Sequence, residues 1–386
     1  MKYVFVLGRN PELSLAELIS YLKARGSEFE ILEKSDEVAL FEIEDFSPET
    51  AIDDLGGIPK IGEVLIEAED ELTEELRKTE FYPHTNRKFF YGISAFGPDS
   101  NDLISRLRQY LKKSFKEQDL IAMYKHQLSP KYVTRKDIIE EGLDLLACKF
   151  DGRTYVARTV AAYNPLRREE RDEERPSQDH KISVSIRLAK ILLNLAGCQP
   201  GDRVLDPFCG TGTILQEALF LGCEAYGIDL DEKRIKDSNR NLNWIRERYG
   251  IQQDFHLEQG NAKDLSSHFS PEFDAIVTEP NLGPYLDKKP RQKKARKIVD
   301  DLNRLYTQFF REVGKVLTSG ARLAIVLPSF PLKEGGSVDV KGEKIARGTG
   351  LEPIETLSGT KIELPIKYKE DWHTIGRRIY IFKKDK

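Results

Sequence analysis

An acid, a glycine-rich loop and a second acid follow one another between residues 203 and 229. Residues 203–205 predict a short buried strand, and residues 206–213, D-P-F-C-G-T-G-T, predict a loop. Apolar residues at helical spacing over 214–219 then predict a helix, and a second predicted strand ends at Asp229. Glycine lets the backbone pass close to a ligand, and an acid at the end of the second strand can accept from both ribose hydroxyls. The segment therefore predicts a nucleotide site.

The loop fits neither of two common phosphate-binding patterns. A GxxxxGK[ST] loop needs a lysine, which does not follow Gly212, and a dinucleotide fingerprint needs a third glycine where Leu215 stands. Because like charges repel, Asp206 disfavours a phosphate and favours a cation. S-adenosylmethionine (SAM) is a cation with an amino-acid end, so we predict SAM as the cofactor. Another Rossmann-like turn is the alternative; the missing third glycine disfavours a nicotinamide dehydrogenase.

The same loop resembles motif I of the SAM-dependent methyltransferases that modify exocyclic amines. The resemblance implies that the loop wraps the methionine part of SAM, that Asp229 accepts from the ribose, and that Gly260-Asn261-Ala262 meets the adenine. An ordinary turn residue is the alternative for Asn261. S-adenosylhomocysteine (SAH) is the expected product. The predicted cofactor-binding residues are Asp206, Phe208, Cys209, Gly210, Thr211, Gly212, Thr213, Asp229, Leu230, Asn261 and Ala262.

A second motif, T-E-P-N-L-G-P-Y, spans residues 278–285. Amine methyltransferases typically show [DNS]-P-P-[YFW] here, where a side chain and the next carbonyl hold the hydrogens of the amine and favour its pyramidal transition state. Glu279 stands in place of the usual aspartate and Leu282 in place of the aromatic residue, so we expect Tyr285 to stack on the base. A turn-capping Glu279 is the alternative. The predicted catalytic residues are Glu279, Pro280, Asn281 and Tyr285.

A basic run follows this motif at once. A solvated face is the usual role of such a run, but its position beside the expected chemistry in a net-acidic chain favours contacts with RNA phosphates. The mixed-charge segment 167–176 has no periodicity and predicts a solvated linker, with RNA contacts by some of its arginines as the alternative. The predicted RNA-binding residues are Lys288, Lys289, Arg291, Lys293 and Lys294.

The composition of the chain fits a soluble globular protein of several domains. It has 386 residues, of which 39% are hydrophobic and 32% charged, and its net charge of −4 argues against wholesale coating of nucleic acid. No apolar run approaches the ~20 residues of a membrane span. The four cysteines show no zinc spacing, so we expect free thiols, no metal and a cytoplasmic location.

The order of elements predicts an α/β protein with an added N-terminal half. Strands and helices alternate after residue 203, which predicts a mostly parallel sheet with helices on both faces. The opening V-F-V-L-G-R-N-P-E-L-S, the late strand pair before residue 162 and Ser129-Pro130-Lys131 resemble the tRNA guanosine-N2-methyltransferases that act at position 10. The resemblance implies a ferredoxin-like domain (1–75), a THUMP domain (76–165), a linker (166–180) and a Rossmann-like methyltransferase domain (181–386).

That family resemblance implies a SAM-dependent enzyme that methylates the exocyclic N2 of a guanosine in tRNA, at position 10. It leaves open whether a small activating subunit takes part or the chain acts as a monomer. A DNA amino-methyltransferase would share the pocket but gives no reason for the N-terminal half. A non-catalytic RNA-binding protein with a decayed SAM pocket is the other alternative, because the 279–282 motif departs from the usual residues.

Overall fold

The computed structural model describes residues 1–69, 72–125, 139–178, 184–269, 273–368 and 374–385. Ser129-Pro130-Lys131, which carried part of the THUMP resemblance, lies outside the described residues. The chain divides into two compact units: residues 1–15 with 26–170, and residues 16–25 with 171–386. None of the helices in the described ranges has the length and apolarity that crossing a membrane requires.

The N-terminal half alternates helices with strands of a mixed sheet. Its strands follow the order β2-β3-β1-β4-β8-β7-β5-β6, in which β5 runs parallel to both of its neighbours. The elements are β1 (Lys2–Val6), α1 (Pro11–Ala24), β2 (Phe29–Lys34), β3 (Val38–Ile43), α2 (Pro48–Asp54), β4 (Lys60–Ala68), α3 (Leu72–Lys78), β5 (Lys88–Phe96), α4 (Ser100–Glu117), β6 (Ile121–Tyr124), β7 (Leu143–Phe150), β8 (Arg153–Ala162) and α5 (Pro165–Glu173).

One sheet connects the two N-terminal domains that the resemblance implies. β4 pairs with β8 along its length, so the expected boundary at residue 75 does not separate two sheets. A buried polar cluster joins the same strands: Asp144 accepts from Lys60 Nζ at 2.7 Å and from the Thr159 hydroxyl at 2.6 Å. A buried charge without such partners is strongly destabilising, so the cluster favours this strand pairing. The names ferredoxin-like and THUMP stay predictions.

The second unit contains the predicted α/β sheet. The short 3-10 helix Ala262–Asp264 lies between β11 and α9. The elements are α6 (Ile186–Ala196), β9 (Arg203–Asp206), α7 (Thr213–Phe220), β10 (Glu224–Asp229), α8 (Glu232–Tyr249), β11 (Phe255–Gln259), α9 (Leu265–His268), β12 (Phe273–Thr278), α10 (Gln292–Val316), β13 (Leu317–Pro331), β14 (Ser337–Asp339), α11 (Gly342–Ile345), β15 (Leu351–Pro353), β16 (Ile366–Tyr368) and β17 (Gly376–Lys384).

The strand order of this sheet is β11-β10-β9-β12-β13-β17-β15. Strands β9 to β13 are parallel, while β17 is antiparallel to β13. The order reverses between β9 and β12, which makes the carboxyl ends of these strands the expected ligand site. Helix α10 packs on the sheet through a stripe of apolar residues, which are buried there: Leu302, Tyr306, Phe309, Phe310 and Val313.

The expected linker is solvated only in part. α5 occupies its first part, and both Arg171 and Arg175 are buried, with 8% and 6% of their surface exposed. Arg171 pairs with the carboxylate of Glu217 at 3.1 Å and lies over the ring of Phe220. The solvation prediction is wrong for these two arginines, because mixed charge along a sequence does not show which cations find buried partners in the fold.

Candidate active site

Asp206 lies at the end of β9, next to the reversal of strand order. The residue is 2% exposed, and its carboxylate accepts from the Phe208 N–H at 3.1 Å and from the Thr278 hydroxyl at 2.7 Å. Burial raises the pKa of the Asp206 carboxyl to about 7, and the negative charges of Asp229 and Glu279 add to the rise. The free protein therefore keeps an acid here whose charge a bound cation would stabilise.

The glycine loop after Asp206 is closely packed against α8. Gly212 has a φ of +85°, and a Cβ added to it would lie 2.4 Å from the hydroxyl oxygen of Ser238. Only glycine adopts this backbone without strain, and only glycine leaves room for the serine. The loop and the start of α7 are further held by hydrogen bonds from Asn241 to the Thr211 carbonyl and from Arg175 to the Thr213 hydroxyl, both 2.9 Å.

Asp229 ties the ends of neighbouring strands together. Its carboxylate accepts from the Gly210 N–H at 3.0 Å and from the Asp231 N–H at 2.9 Å, and its carbonyl accepts from the Gly260 N–H at 3.0 Å. Each carboxylate oxygen can accept more than one hydrogen bond, so both stay able to accept from a ribose. Its place at the end of β10 is the one that the sequence predicts.

The other predicted cofactor residues have mainly packing or turn roles in the structure. The Asn261 side chain accepts from the Lys263 N–H at 3.1 Å and caps the 3-10 helix, which supports the turn alternative for this residue. Ala262 and Cys209 are buried, and burial raises the pKa of the Cys209 thiol. Phe208 packs edge-to-face on Phe309, whereas Leu230 is 69% exposed. Contacts of these residues with SAM stay predictions.

Glu279 follows β12 directly and pairs with Arg377 of β17. The Arg377 Nε donates to Oε1 at 2.6 Å and Nη2 to Oε2 at 3.5 Å. The Arg377 side chain is 11% exposed and the Glu279 side chain is 7% exposed. Arg377 is not predicted by the sequence, because it is 98 positions from its partner and has no motif around it. Only the antiparallel pairing of β17 with β13 brings it to this corner.

The rest of the 279–285 loop is held by a hydrogen bond from α10 and by a local turn. Pro280 is buried, and the Asn281 carbonyl accepts from the Tyr306 hydroxyl at 2.6 Å. Burial raises the pKa of Tyr306 well above its usual range, so the hydroxyl stays a donor. The Asn281 side chain accepts from the Gly283 N–H at 2.9 Å, which makes a local turn. Tyr285, by contrast, is 89% exposed and offers its ring to solvent.

The predicted RNA-binding cations lie on the surface around the first turn of α10. Lys288, Lys289, Arg291, Lys293 and Lys294 are all exposed. We define the basic cluster as these five residues with Arg296 and Lys297. No member of the cluster forms an ion pair with a residue of the described ranges. The described residues also contain no group of three or more acidic, histidine or cysteine side chains that could hold a metal ion.

Comparisons with known proteins establish the class. Residues 174–332 match a family model described as RMKL-like, methyltransferase domain, and residues 78–240 match one described as DNA methylase. The solved structure of TrmN from Thermus thermophilus covers 100% of both chains with a TM-score of 0.55 at 18% identity. That of SMU.472 complexed with SAH covers 100% of this chain and 98% of its own, with a TM-score of 0.52 at 12% identity. The predicted α/β fold with a Rossmann-like methyltransferase domain is confirmed, and the chain is a SAM-dependent methyltransferase.

Two curated relatives narrow this class. The tRNA (guanine(10)-N2)-dimethyltransferase of Methanothermobacter thermautotrophicus is 26% identical over 331 residues, which are 85% of this chain and 88% of the relative. The tRNA (guanine(6)-N2)-methyltransferase of Thermus thermophilus is 36% identical over 147 residues, or 36% of this chain and 38% of the relative. The resemblance to the tRNA guanosine-N2-methyltransferases that the motifs indicate is confirmed.

Proposed function

We propose that this chain methylates the exocyclic N2 of a guanosine in tRNA. The observation that carries the proposal is the position of Glu279, which directly follows β12, beside the strand that ends in Asp206. The guanine edge presents the N1–H and N2–H donors side by side, and a carboxylate offers two acceptors to such a pair. Adenine places an acceptor next to its amine, which a carboxylate would repel. Glu279 therefore favours guanine over the adenine of DNA.

The residues at the strand ends fit SAM. The buried Asp206 attracts a cation, Gly212 lets the loop pack closely against Ser238 of α8, and Asp229 can accept from hydroxyls. Bound SAM supplies an electrophilic methyl group on a sulfonium. The chain then has to hold the nitrogen that accepts this methyl.

The nitrogen is held by the 279–280 corner. An exocyclic amine is flat because its lone pair is delocalised into the ring. A hydrogen bond from one N–H to the Glu279 carboxylate, and one from the other to the Pro280 carbonyl, would favour the pyramidal nitrogen of the transition state. The extra proton passes to water after transfer, and the exposed Tyr285 ring is available to stack on the base.

Several features support tRNA as the substrate. The cations of the basic cluster lie at the N-terminal end of α10, where the helix dipole is unfavourable for them and favourable for a phosphate. The N-terminal unit gives a large added surface, which we propose to be the THUMP-containing tRNA-binding part. We propose position 10 because the relative named for it aligns with 85% of this chain. We further propose that the chain acts in the cytoplasm, either with a small activating subunit or as a monomer.

Glu279→Gln tests the proposed chemistry. The amide keeps one acceptor but loses the charge, so kcat for methyl transfer to tRNA should fall ~10²–10³-fold, as for the loss of one transition-state hydrogen bond. The affinity for SAM, measured by calorimetry, should stay within about twofold of the wild-type value. Nucleoside mass spectrometry of the product should show N2-methylguanosine with the wild-type protein.

The matched control is Glu312→Gln, which alters a carboxylate of α10 that accepts from Ser266. It should leave kcat near the wild-type value. Duplex DNA containing adenine serves as the competing substrate. Faster transfer to that DNA than to tRNA, or full activity of Glu279→Gln, would overturn the proposal.

A further inference from the structure

Glu279 replaces the aspartate of the usual motif, and its longer side chain is paired with Arg377 from a remote strand. Glutamate is one methylene longer than the aspartate typical of this position, so its carboxylate has one more rotatable bond. A longer side chain loses more rotamer freedom when it is held in one geometry. The two-point contact with Arg377, at 2.6 and 3.5 Å, restricts both the extra bond and the plane of the carboxylate.

The energetics of this pair do not explain it as a stabilising contact. Both side chains are nearly buried, and the desolvation of two charges offsets much of their attraction. The neighbouring Arg378 forms a different ion pair, with Asp339 at 2.7 Å, which joins β17 to β14. Arg378 thus links β17 to β14, whereas Arg377 contacts Glu279, whose charge acts on the nearby Asp206.

We propose that Arg377 is a positioning residue, which orients the Glu279 carboxylate toward the amine of the target base. This inference rests on the proposed function, in which Glu279 accepts from that amine. The planar guanidinium suits the task because it donates two parallel hydrogen bonds, and a lysine in its place would keep only the charge. In this inference Arg377 affects catalysis through Glu279, so its removal should lower kcat only while Glu279 is present.

A double-mutant cycle tests this dependence. Arg377→Met should lower kcat for tRNA methylation ~10–100-fold, because a misplaced catalytic group loses that much rate. Its affinity for SAM should stay within about twofold of the wild-type value. Arg377→Lys should recover part of the loss. The double variant Glu279→Gln/Arg377→Met should be no slower than Glu279→Gln alone, because it removes both charges of this ion pair.

Two further variants separate positioning from stability. Arg378→Met breaks a comparable ion pair on the same strand, and it should lower thermal stability while kcat stays near the wild-type value. Glu279→Asp restores the shorter acid of the usual motif, and Arg377→Met should cost it less kcat than it costs the wild-type protein.

Losses that multiply in the double variant would overturn the inference, and so would an unchanged kcat in folded Arg377→Met. A wild-type protein that binds SAM but methylates no tRNA would instead refute the proposed function, before any Arg377 variant is compared.

Discussion

Two groups of residues at the carboxyl ends of the catalytic strands, which we call the cofactor corner and the acceptor corner, differ in how far their side chains are buried and hydrogen-bonded within the protein. The cofactor corner, residues 206–213 with Asp229, is largely buried, and both of its carboxylates accept backbone N–H groups. The acceptor corner, residues 279–297, has one buried ion pair at its start and then turns outward. Tyr285 is 89% exposed there, and the cations of the basic cluster point to solvent.

The difference in burial indicates which groups each ligand must provide. At the cofactor corner the missing element is one positive charge, because Asp206 and Asp229 lie close enough for one to raise the pKa of the other. At the acceptor corner, the exposed Tyr285 ring needs a flat ring to stack on, and the basic cluster needs negative charges to pair with. A SAM molecule fits the first description, and an RNA fits the second.

The largest effect on ligand affinity should come from breaking the packing of the cofactor corner. Gly212→Ala would force an alanine into a left-handed backbone, at about 1–2 kcal/mol, and would press its Cβ against Ser238 at 2.4 Å. We expect the affinity for SAM, measured by calorimetry, to fall at least ~10-fold, since the loop must shift. The added variant Ser238→Ala removes the serine oxygen and should restore part of this affinity.

Gly201 provides the matched control, because its φ is +92° and nothing lies within 4 Å of an added Cβ. Gly201→Ala should lower the free energy of unfolding by a similar backbone cost and leave SAM binding unchanged. Equal losses of SAM affinity in the two variants would show that backbone strain, rather than the packing of the loop on α8, explains the effect.

The cofactor corner was largely predictable because its parts are local. A strand, a glycine loop, a helix and an acid within 27 positions define one βαβ unit, whose geometry follows from the handedness of the crossover. The structure places Asp206 and Asp229 at the strand ends that the sequence predicts. Even so, the contact that explains Gly212, Ser238, comes from α8 and has no signature in the sequence.

The acceptor corner was only partly predictable, since its partners are remote. Glu279 is read from its own motif, but Arg377 comes from the last strand, and its position depends on the antiparallel pairing of β17. The buried arginines of the expected linker show the same limit, because Arg171 and Glu217 are 46 positions apart and meet only in the folded chain. Periodicity and motifs report neighbours along the chain, not charge partners across the fold.

The buried carboxyl of Asp206 should make the stability of the protein depend on pH. Its folded pKa is about 7, above the ordinary value of 3.8, so the folded protein keeps a proton that the unfolded chain releases between those values. The free energy of unfolding should therefore fall as the pH rises from about 4 to about 7, by an amount on the order of 4 kcal/mol. Denaturant unfolding across this pH range measures it, and Asp206→Asn should lack this part of the change.

SAM binding should show the opposite trend. The positive charge of SAM favours the ionised carboxylate, so affinity should rise with pH, by about tenfold in total, and level off above about pH 7. Because the amino group of SAM also titrates, Asp206→Asn in the same buffers gives the baseline to subtract. An identical pH profile in both proteins would contradict the role of Asp206 as the charge partner of the cofactor.

The smallest effect should come from the acceptor corner, by removal of two cations. Lys293→Gln/Lys294→Gln should weaken tRNA binding several-fold and make the slope of log K against log salt less steep by about 1.5, as expected for two phosphate contacts. Its free energy of unfolding should stay equal or rise by a few tenths of a kcal/mol, because cations oppose the dipole at a helix N-terminus. A filter-binding titration at several salt concentrations, with thermal unfolding, measures both.

The last turn of α8 offers the matched control. Arg246 and Arg248 lie there at the favourable end of the dipole and pair with Asp254 and Glu174. Changing both to Gln alters the net charge by the same amount, so a loss that follows net charge alone would appear in both double variants. We expect the α8 variant to lose some stability and keep its tRNA affinity, the reverse of the α10 variant. Equal weakening of tRNA binding would show that the basic cluster is an ordinary solvated face.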